Sequence, residues 1–281
     1  MKSADEGSLP GASKDAAVPS KDTQQFLHGL AAHQQSALQQ VAALAKNAPQ
    51  QTRPYDFSKA QLNIGIPAYG GMLTEACFMS FLNFVLLAQQ VGLRWRVYTM
   101  VNEALVTRAR NNLMAKMMSD PNATHFMFID GDIRFLPDSI LSMMAYNKDV
   151  VGGLYPRKVY PIHYAVNFEA NTRVDGDLFT VDTLATGFLM FKRKVYEDLI
   201  QALPQTKYKD DVGIGHEYEP FMYSIFDCYI DENGHYLSED WAFCRRAKVL
   251  GYDMWAHSKV LLNHVGQHEF VGSLEQLASV K

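Results

Sequence analysis

The sequence predicts an α/β fold built on one mostly parallel sheet. From Gln61 onward, short apolar runs with strand periodicity alternate with longer runs of helical periodicity. One apolar run, HFMFI at residues 125–129, ends directly in two acids that lie one residue apart, Asp130 and Asp132. A β and α alternation of this kind implies parallel strands with helices on both faces. Such sheets bind ligands beyond the carboxyl ends of their strands, which is where the two acids fall.

The elements of the first half follow from their local patterns. Alternating or continuous apolar residues of strand length predict strands, longer runs of helical period predict helices, and Pro137 suits the first turn of one helix. In chain order we expect a strand at 62–69, a helix at 72–91, a strand at 93–100, a helix at 104–118, a strand at 125–130 and a helix at 137–146.

The second half is less regular and predicts a small mixed subregion beside the main sheet. Residues 238–251, SEDWAFCRRAKVLG, form the clearest helix because a Ser cap and early acids precede late basic residues and a terminal Gly. A second acid pair, Asp175 and Asp177 in RVDGDLFT, is expected in a hairpin turn, since Asp-Gly is common there. The other expected elements are strands at 163–168, 178–184, 185–193 and 253–266 and a helix at 194–203.

We predict three parts along the chain. Residues 1–22 lack periodicity and are expected to be a disordered tail, residues 23–56 a helix with a linker, and residues 57–281 one catalytic domain. The helix has a thin apolar stripe. It either docks on its own domain or mediates self-association through residues 23–46, and both alternatives are open at this point.

Composition narrows the class of protein. The formal charge of -4 provides no global basic field, so the totals do not favour non-specific binding to nucleic acid. The three cysteines lie far apart without a CxxC pair, which argues against a disulfide framework and a cysteine-bound zinc. No segment has the length and apolarity of a signal peptide or membrane anchor. We therefore expect a soluble, cytoplasmic protein without membrane insertion.

The acids at 130 and 132 indicate a cation site. Ionised carboxylates at the end of a buried strand need a compensating positive charge. Carboxylate oxygens favour Mg²⁺ or Mn²⁺, which complete their coordination with water and substrate phosphates. A metal-bridged diphosphate fits this pattern. The alternative is that both acids are surface turn residues that cap the helix near Pro137.

Several motifs in order resemble one enzyme family. The run IPAYGG, VNEALVTRARNNLMAKMM, THFMFIDGDIRFLPDSI, KDVVGGLYPRK, LATGFLMFKRKVYE and SEDWAFCRRAKVLGYDMWAHSKVLLNHVG is similar to GT-A glycosyltransferases of the type found in phages and bacteria. The match covers roughly residues 61–268 and leaves out the N-terminal segment. It implies a Rossmann-like GT-A fold with a D-x-D motif, and a nucleotide-diphosphate sugar as donor.

The resemblance also implies a metal site for Mn²⁺ or Mg²⁺. Asp132 is the expected direct ligand, and Asp130 is expected at the metal, at a metal-bound water or at the ribose of the donor. His264, at the end of an apolar strand, is the expected third protein ligand. His257 and His268 are the other candidates, and strand alternation places His257 on the opposite face, which favours His264.

Roles for the remaining residues are implied in the same way. Asp240 is the expected general base toward an acceptor hydroxyl, with Glu239 beside it, although acids in a first helical turn also stabilise a helix without any catalysis. The expected donor-binding residues are Pro67, Ala68, Tyr69, Arg110 and Asn111, with Arg108 turned away from Arg110; the expected acceptor-side residues are Gly187, Arg157 and Lys158.

Taken together with the acid pair, the resemblance implies a hexosyl- or pentosyltransferase that uses a nucleotide sugar, with a UDP-sugar favoured. The acceptor is a glycan, a protein hydroxyl or a hydroxymethylated DNA base, and the protein acts in the host cytoplasm if it is viral. Two alternatives stay open: a metal-dependent nucleotidyl- or phosphoryltransferase, and a non-catalytic nucleotide-sugar binder. The chain has no G-x-x-x-x-G-K-[ST] motif, which argues against a P-loop phosphoryltransferase.

Overall fold

The computed structural model describes residues 21–45, 54–266 and 273–275. The predicted tail therefore lies almost wholly outside the described residues, and so do most of the predicted linker and His268. The helices are α1 (Lys21–Ala45), α2 (Glu75–Gln90), α3 (Val106–Met118), α4 (Ser139–Ala145), α5 (Arg193–Ala202) and α6 (Glu239–Val249). The strands are β1 (Gln61–Ala68), β2 (Arg94–Val101), β3 (His125–Ile129), β4 (Ile133–Phe135), β5 (Val150–Gly153), β6 (Val166–Asn167), β7 (Val174–Asp175), β8 (Leu178–Val181), β9 (Thr183–Leu184), β10 (Phe188–Lys192), β11 (Tyr229–Ile230), β12 (Tyr236–Leu237), β13 (Met254–His257) and β14 (Leu262–His264).

Eight strands form the central sheet in the order β2-β1-β3-β10-β5-β13-β8-β7. The pairs β1 with β2, β1 with β3 and β5 with β13 are parallel, whereas β10 and β8 are antiparallel to both of their neighbours. Six of the eight strands therefore point the same way. The predicted α/β fold class is confirmed, with two strands reversed inside the sheet.

Helices cover both faces of this sheet. On one face, a core of buried residues includes Leu113 of α3, Tyr196 of α5 and Phe243 of α6. On the other face, Phe84 of α2 and Ile140 of α4 are buried against β1 and β3. Because both faces of the sheet are buried, side chains on either side of the central strands are apolar, and these strands have nearly continuous apolar sequences. Within the described residues, no helix has the length and apolarity needed to cross a lipid bilayer.

The N-terminal helix α1 docks on its own domain. Leu38 and Val41 are buried in the same core as α3 and α5. The side-chain amide of Gln34 donates to the carbonyl of Tyr164 at 2.9 Å, and its oxygen accepts from the Tyr164 N–H at 2.8 Å. This is the docked alternative of the two that the sequence left open. Self-association through residues 23–46 stays a prediction.

The sequence predicted one turn in the second half of the chain, between β7 and β8, and missed another, between β13 and β14. Asp175 and Asp177 flank Gly176, whose positive φ of 62° lets the chain reverse direction in the predicted β7–β8 hairpin. The single strand expected at 253–266 is instead two strands, β13 and β14. The chain turns between them because the N–H and hydroxyl of Ser258 both donate to the Asp177 carbonyl.

Candidate functional site

The topology of the sheet brings four segments to one edge. β3 and β5 run in the same direction with β10 between them, antiparallel to both. Phe188 pairs with Ile129, so that Gly187 lies beside Asp130, and the Asp130 N–H donates to the Gly187 carbonyl at 3.0 Å. Tyr155 follows the end of β5 at the same edge. The candidate site therefore lies beyond the carboxyl ends of β1, β3 and β5.

The turn that carries the acid pair is held by its backbone. The N–H of Thr74 donates to the Gly131 carbonyl at 2.8 Å, and the N–H of Val265 donates to the Asp132 carbonyl at 2.8 Å. These bonds tie the turn to the segment before α2 and to the segment after β14. Asp130 and Asp132 are thus held at fixed positions, and they are not the caps of the helix near Pro137 that the alternative predicted.

Arg110 links the acid pair to the start of α6. Its guanidinium is buried and donates through Nη2 to Asp130 Oδ1 at 3.0 Å and through Nε to Glu239 Oε1 at 3.2 Å. The carbon at its centre lies 5.2 Å from the centroid of the Phe128 ring. The third nitrogen, Nη1, is buried without a hydrogen-bond partner among the described residues. Within the described part of the chain, Nη1 is therefore an unsatisfied buried donor directly behind Asp130.

Asp132 faces two cationic or potentially cationic groups. Lys158 Nζ lies 2.5 Å from Asp132 Oδ2, and His264 Nε2 lies 3.5 Å from the same oxygen. Burial raises the pKa of Asp132, but the hydrogen bonds and charges of His264 and Lys158 outweigh it and lower the pKa overall. His264 Nδ1 lies 3.0 Å from the Pro156 carbonyl, which only accepts, so Nδ1 carries a hydrogen. With Nδ1 held by Pro156, Nε2 is the ring nitrogen that faces Asp132.

Asp240 is the acid whose surroundings favour the protonated form. Its Oδ1 accepts from the Trp241 N–H at 2.8 Å and from the Ser238 hydroxyl. Burial raises the pKa of Asp240, and the neighbouring charge of Glu239 raises it further. A carboxyl group with a raised pKa transfers protons more readily near neutral pH than an ordinary aspartate.

Tyr155 completes the cluster, and sequence reasoning did not single it out. Its phenol oxygen accepts from the Gly187 N–H at 3.2 Å. Burial raises the Tyr155 pKa well above its usual value, and the charges of Asp130 and Asp240 add to this effect. The phenol therefore keeps its proton at neutral pH. In VVGGLYPRK, no sequence feature distinguishes this tyrosine from an ordinary core residue, so only its position in the fold identifies it.

Gly187 is required by close packing at this point. A Cβ atom at residue 187 would lie 2.5 Å from the Tyr155 phenol oxygen and 2.8 Å from Asp130 Oδ2. Distances below 3.0 Å are essentially never seen for real Cβ atoms, so any larger residue displaces one of these groups. Gly187 thus lies next to the acid pair, and the lack of space for a Cβ atom explains why a glycine is needed there.

A cleft of about 510 Å³ opens beside the acids. This volume lies within the range of small-molecule binding sites in proteins. Pro67 and Tyr69 line the cleft, whereas Ala68 is buried in the sheet. Asp130 and Asp132 also line the cleft, and the sequence did not single out the remaining residues of its wall. The complete lining is Pro67, Tyr69, Met72, Leu73, Thr74, Glu103, Ala104, Val106, Ala109, Asp130, Gly131 and Asp132.

Two arginines predicted near the site have other partners. Arg108 pairs with Glu103 through its Nε at 2.6 Å, and it does so away from Arg110, as the helical spacing predicted. Arg157 is exposed, and its guanidinium lies 3.2 Å from His163 Nε2. Arg157 therefore lies in the same loop as Lys158 but makes different contacts.

Asn111 and His257 serve the interior of the fold. The Asn111 amide donates to the Phe226 carbonyl at 3.0 Å and accepts from the Phe226 N–H at 2.9 Å. His257 is buried, with Nε2 2.7 Å from the Ser142 hydroxyl, and burial lowers its pKa to about 4. Neither side chain is brought to the cleft. The placement of His257 agrees with the strand alternation that favoured His264.

The three predicted metal ligands do not form one preassembled cluster. Within 21–45, 54–266 and 273–275, no group of three or more His, Cys, Asp or Glu side chains is arranged to hold a metal ion. The geometry brings Asp132 and His264 together, whereas the Asp130 carboxylate is directed to Arg110. Asp132 and His264 thus offer one oxygen and one nitrogen to a metal, and Lys158 must leave the same Asp132 oxygen before a metal binds there.

Comparisons with known proteins found solved structures that align with this chain, but no match at the level of sequence. No family model and no curated protein sequence matches the chain. A protein from STIV aligns with a TM-score of 0.43 and 15% identity over 76% of this chain and 94% of its own. TarS from S. aureus, solved with UDP-GlcNAc, aligns with a TM-score of 0.36 and 13% identity over 71% and 56%.

A third structure, 4-diphosphocytidyl-2C-methyl-D-erythritol synthase from Anaerococcus prevotii, aligns with a TM-score of 0.33 and 8% identity over 55% of this chain and 80% of its own. At these identities and TM-scores, the three structures identify neither a family nor an activity for this chain. The functional argument therefore depends on the site itself.

Proposed function

We propose that the chain is a metal-dependent glycosyltransferase that moves a sugar from a nucleotide-diphosphate sugar to an acceptor hydroxyl. The observation that carries this proposal is the acid pair Asp130 and Asp132 at the carboxyl ends of parallel strands, on the wall of the cleft. Such strand ends are the usual ligand-binding edge of open α/β sheets. The resemblance of the sequence motifs to GT-A glycosyltransferases supports the same reading.

The cleft suits a nucleotide in shape and chemistry. Tyr69 is 72% exposed and stands at the wall with Met72 and Leu73, where an aromatic ring and apolar side chains can pack against a nucleobase. Arg110 lies behind Asp130 with its Nη1 donor free of a hydrogen-bond partner in the described part of the chain. A diphosphate or sugar oxygen would satisfy this donor. We propose a UDP-sugar as the donor.

The residues of the site fit a divalent metal in part. Asp132 and His264 would hold Mn²⁺ or Mg²⁺, since their facing atoms are a carboxylate oxygen and an imidazole nitrogen. His264 is already oriented by its Nδ1 contact with Pro156, as metal-binding histidines usually are by a second hydrogen bond. When bound there, the metal would neutralise charge on the leaving diphosphate. Asp130 would join only through water or by leaving Arg110.

Asp240 is proposed to take the proton of the acceptor hydroxyl. As the acceptor oxygen forms its bond to the anomeric carbon, the bond from that carbon to the diphosphate oxygen breaks. The pKa of Asp240 is raised by burial and by Glu239, which makes it a stronger base than an ordinary aspartate. Glu239 is paired with Arg110 and is proposed to orient the guanidinium rather than to transfer a proton.

The acceptor is proposed at the side of Gly187 and of the loop that carries Arg157 and Lys158. Within residues 155–164, Arg157 and Tyr160 are exposed, whereas Tyr155, His163 and Tyr164 are buried. This loop thus offers one exposed arginine and one exposed ring to an acceptor. A glycan, a protein hydroxyl and a hydroxymethylated DNA base are the proposed acceptor classes, and the last of these must be flipped out of a duplex.

The decisive experiment measures release of nucleoside diphosphate from UDP-, GDP-, TDP- and CDP-sugars with Mn²⁺, Mg²⁺ or EDTA. We expect metal-dependent release from one donor, lost in Asp132→Ala. Asp175→Ala is the matched control because it alters the other D-x-D pair, in the β7–β8 hairpin. No release from any donor, with no thermal stabilisation by nucleotide and metal, would contradict the proposal. Release of pyrophosphate from a nucleoside triphosphate would identify a nucleotidyltransferase instead.

A second experiment tests the base. In Asp240→Asn we expect turnover to fall by roughly 10²- to 10⁴-fold, the usual contribution of a general base, with donor affinity unchanged. Retained turnover would remove Asp240 from the mechanism. Loss of donor affinity together with turnover would indicate that Asp240 shapes the site rather than transferring a proton.

A further inference from the structure

One apolar surface of the fold contributes no residue to the lining of the cleft. Six large apolar side chains on α2 and on the edge strand β2 are between 39% and 62% exposed. They lie on the outer row of α2, which is opposite its buried residues Phe84 and Ala88, and on β2. We call them the α2–β2 surface: Phe78, Met79, Leu82, Leu86, Val97 and Val101.

The two parts of this surface lie on the same side of the sheet. Trp95 of β2 packs against Phe84 of α2, with ring centroids 6.4 Å apart. Strand alternation places Val97 and Val101 on the same face as Trp95, because side chains two and four positions apart point the same way. The α2–β2 surface therefore combines a helix face with the rim of the sheet beside it.

The backbone of β2 is also open on one side. β2 pairs with β1 along its whole length, from Gln61 opposite Arg94 to Ala68 opposite Val101. Among the described residues, no strand pairs with its other edge. Long open edges bearing apolar side chains favour pairing with another chain, and proteins usually block them with charges or a covering segment. The charges of β2 are Arg94 and Arg96, and strand alternation places them on the face opposite Val97 and Val101. The apolar face of this edge therefore carries no charge of its own strand.

We propose that the α2–β2 surface is the interface between two copies of this chain. Six side chains of this size, each about half exposed, present on the order of 500 Å² of apolar area. A specific interface buries about 800 Å² per partner, of which somewhat more than half is apolar. The apolar area therefore matches one side of a dimer interface, and patches of this size on a protein surface are often functional.

The charge pattern selects a second copy over a lipid surface. Glu75 is the one ionisable side chain among the exposed residues of α2, and the other exposed polar groups are Asn83, Gln89 and Gln90. Surface helices that bind anionic lipids have lysines and arginines beside their apolar face, and α2 has neither. An uncharged apolar face is self-complementary, as a twofold interface requires.

The symmetry identifies one position for a sharp test. α2 runs from Glu75 to Gln90, so Leu82 lies at its midpoint. A twofold axis that places two α2 helices antiparallel passes close to this residue, and two charges of the same sign there would face each other. We expect the full-length protein to have the mass of a dimer in light scattering, and Leu82→Glu and Leu82→Lys each to have the mass of a monomer. An equimolar mixture of the two variants should regain the dimer mass.

Two matched variants act as controls. Val249→Glu changes an exposed valine at the end of α6, on the opposite face of the sheet, and should keep the dimer. Leu44→Glu changes an exposed leucine of α1 and should also keep it. A monomeric wild type, a dimer in both Leu82 variants, or dissociation by Leu44→Glu alone would overturn the proposal. So would a monomer that sediments with phosphatidylcholine and phosphatidylglycerol vesicles. Thermal midpoints of all variants show whether each one is folded.

Discussion

Arg110 offers the sharpest test of how the candidate site is held together. Its side chain is 4% exposed and contacts carboxylates from two distant elements, Asp130 after β3 and Glu239 at the start of α6. Replacing it with Met keeps the length of the side chain and leaves both carboxylates without their cation. Removal of one partner from a buried ion pair typically costs about 3 to 5 kcal/mol.

Because the two acids are partly exposed, we expect a cost at the lower end of this range of unfolding free energy. The Asp130 side chain is 29% exposed and that of Glu239 is 14% exposed, so water partly solvates both once the arginine is gone. We therefore expect Arg110→Met to lose about 3 kcal/mol of unfolding free energy. For a domain of this size, that corresponds to a fall in Tm of roughly 6 to 12 °C.

Arg173 is the control because it forms an ion pair that is exposed on both sides. Its side chain is 58% exposed and that of its partner Asp253 is 40% exposed, and exposed pairs contribute about 0 to 1 kcal/mol. Arg173→Met should therefore lower Tm by less than about 4 °C. Arg110→Lys should fall between the two variants, because one ammonium group cannot reproduce two bonds that leave the guanidinium in different directions.

Chemical denaturation and differential scanning calorimetry measure these differences. Equal losses in Arg110→Met and Arg173→Met would refute the reasoning, because they would show that the buried arginine does not bridge the two acids in solution. A partial recovery in the double variant Arg110→Met, Glu239→Gln would support it, since one unpaired charge is then removed.

Three further predictions follow from single contacts. Gly187→Ala should lower stability by roughly 1 to 3 kcal/mol in urea unfolding, because its Cβ meets the Tyr155 phenol oxygen at 2.5 Å. His257 has a pKa lowered to about 4 by burial, so the unfolded chain takes up its proton first as pH falls below about 6.5. This histidine alone should lower stability by about 2 kcal/mol between pH 7 and 5, so urea unfolding of His257→Gln should show a loss over this range that is smaller by about 2 kcal/mol. Lys158→Met should raise the affinity for Mn²⁺ severalfold in calorimetry, because it frees the carboxylate proposed to bind the metal, while Arg157→Met should not.

Periodicity was sufficient to predict most elements of the fold. The strands at β1, β2 and β3 and the helices α2, α3 and α6 lie within a few residues of their expected bounds. The reversed direction of β10 was not predictable, because FLMFK is apolar in either orientation and a continuous apolar run carries no sign of direction. That reversal matters, since it brings Gly187 to the acid pair.

The site was predictable where a residue follows directly from its element, and not where the contact is distant in sequence. Asp130 and Asp132 lie where the strand end places them. Asn111, in contrast, bonds the backbone of Phe226, 115 residues away, so its inward orientation had no local signal. The contact of Lys158 with Asp132 spans 26 residues and depends on how one loop folds back over the turn.

The charge balance of the cluster bears on how a diphosphate could bind there. Four acids, Asp130, Asp132, Glu239 and Asp240, meet two permanent cations, Arg110 and Lys158. The cluster is therefore negative by two charges when all four acids are ionised and His264 is neutral, and by one when Asp240 is protonated. An anionic diphosphate would be repelled by such a site. Asp130 is bound to a buried arginine, whereas Asp132 faces a lysine that is one-third exposed and thus able to move aside. A divalent cation entering at Asp132 would bring the charge of the cluster to zero, or to plus one when Asp240 is protonated, which is why the proposed donor requires a metal at this acid rather than at Asp130.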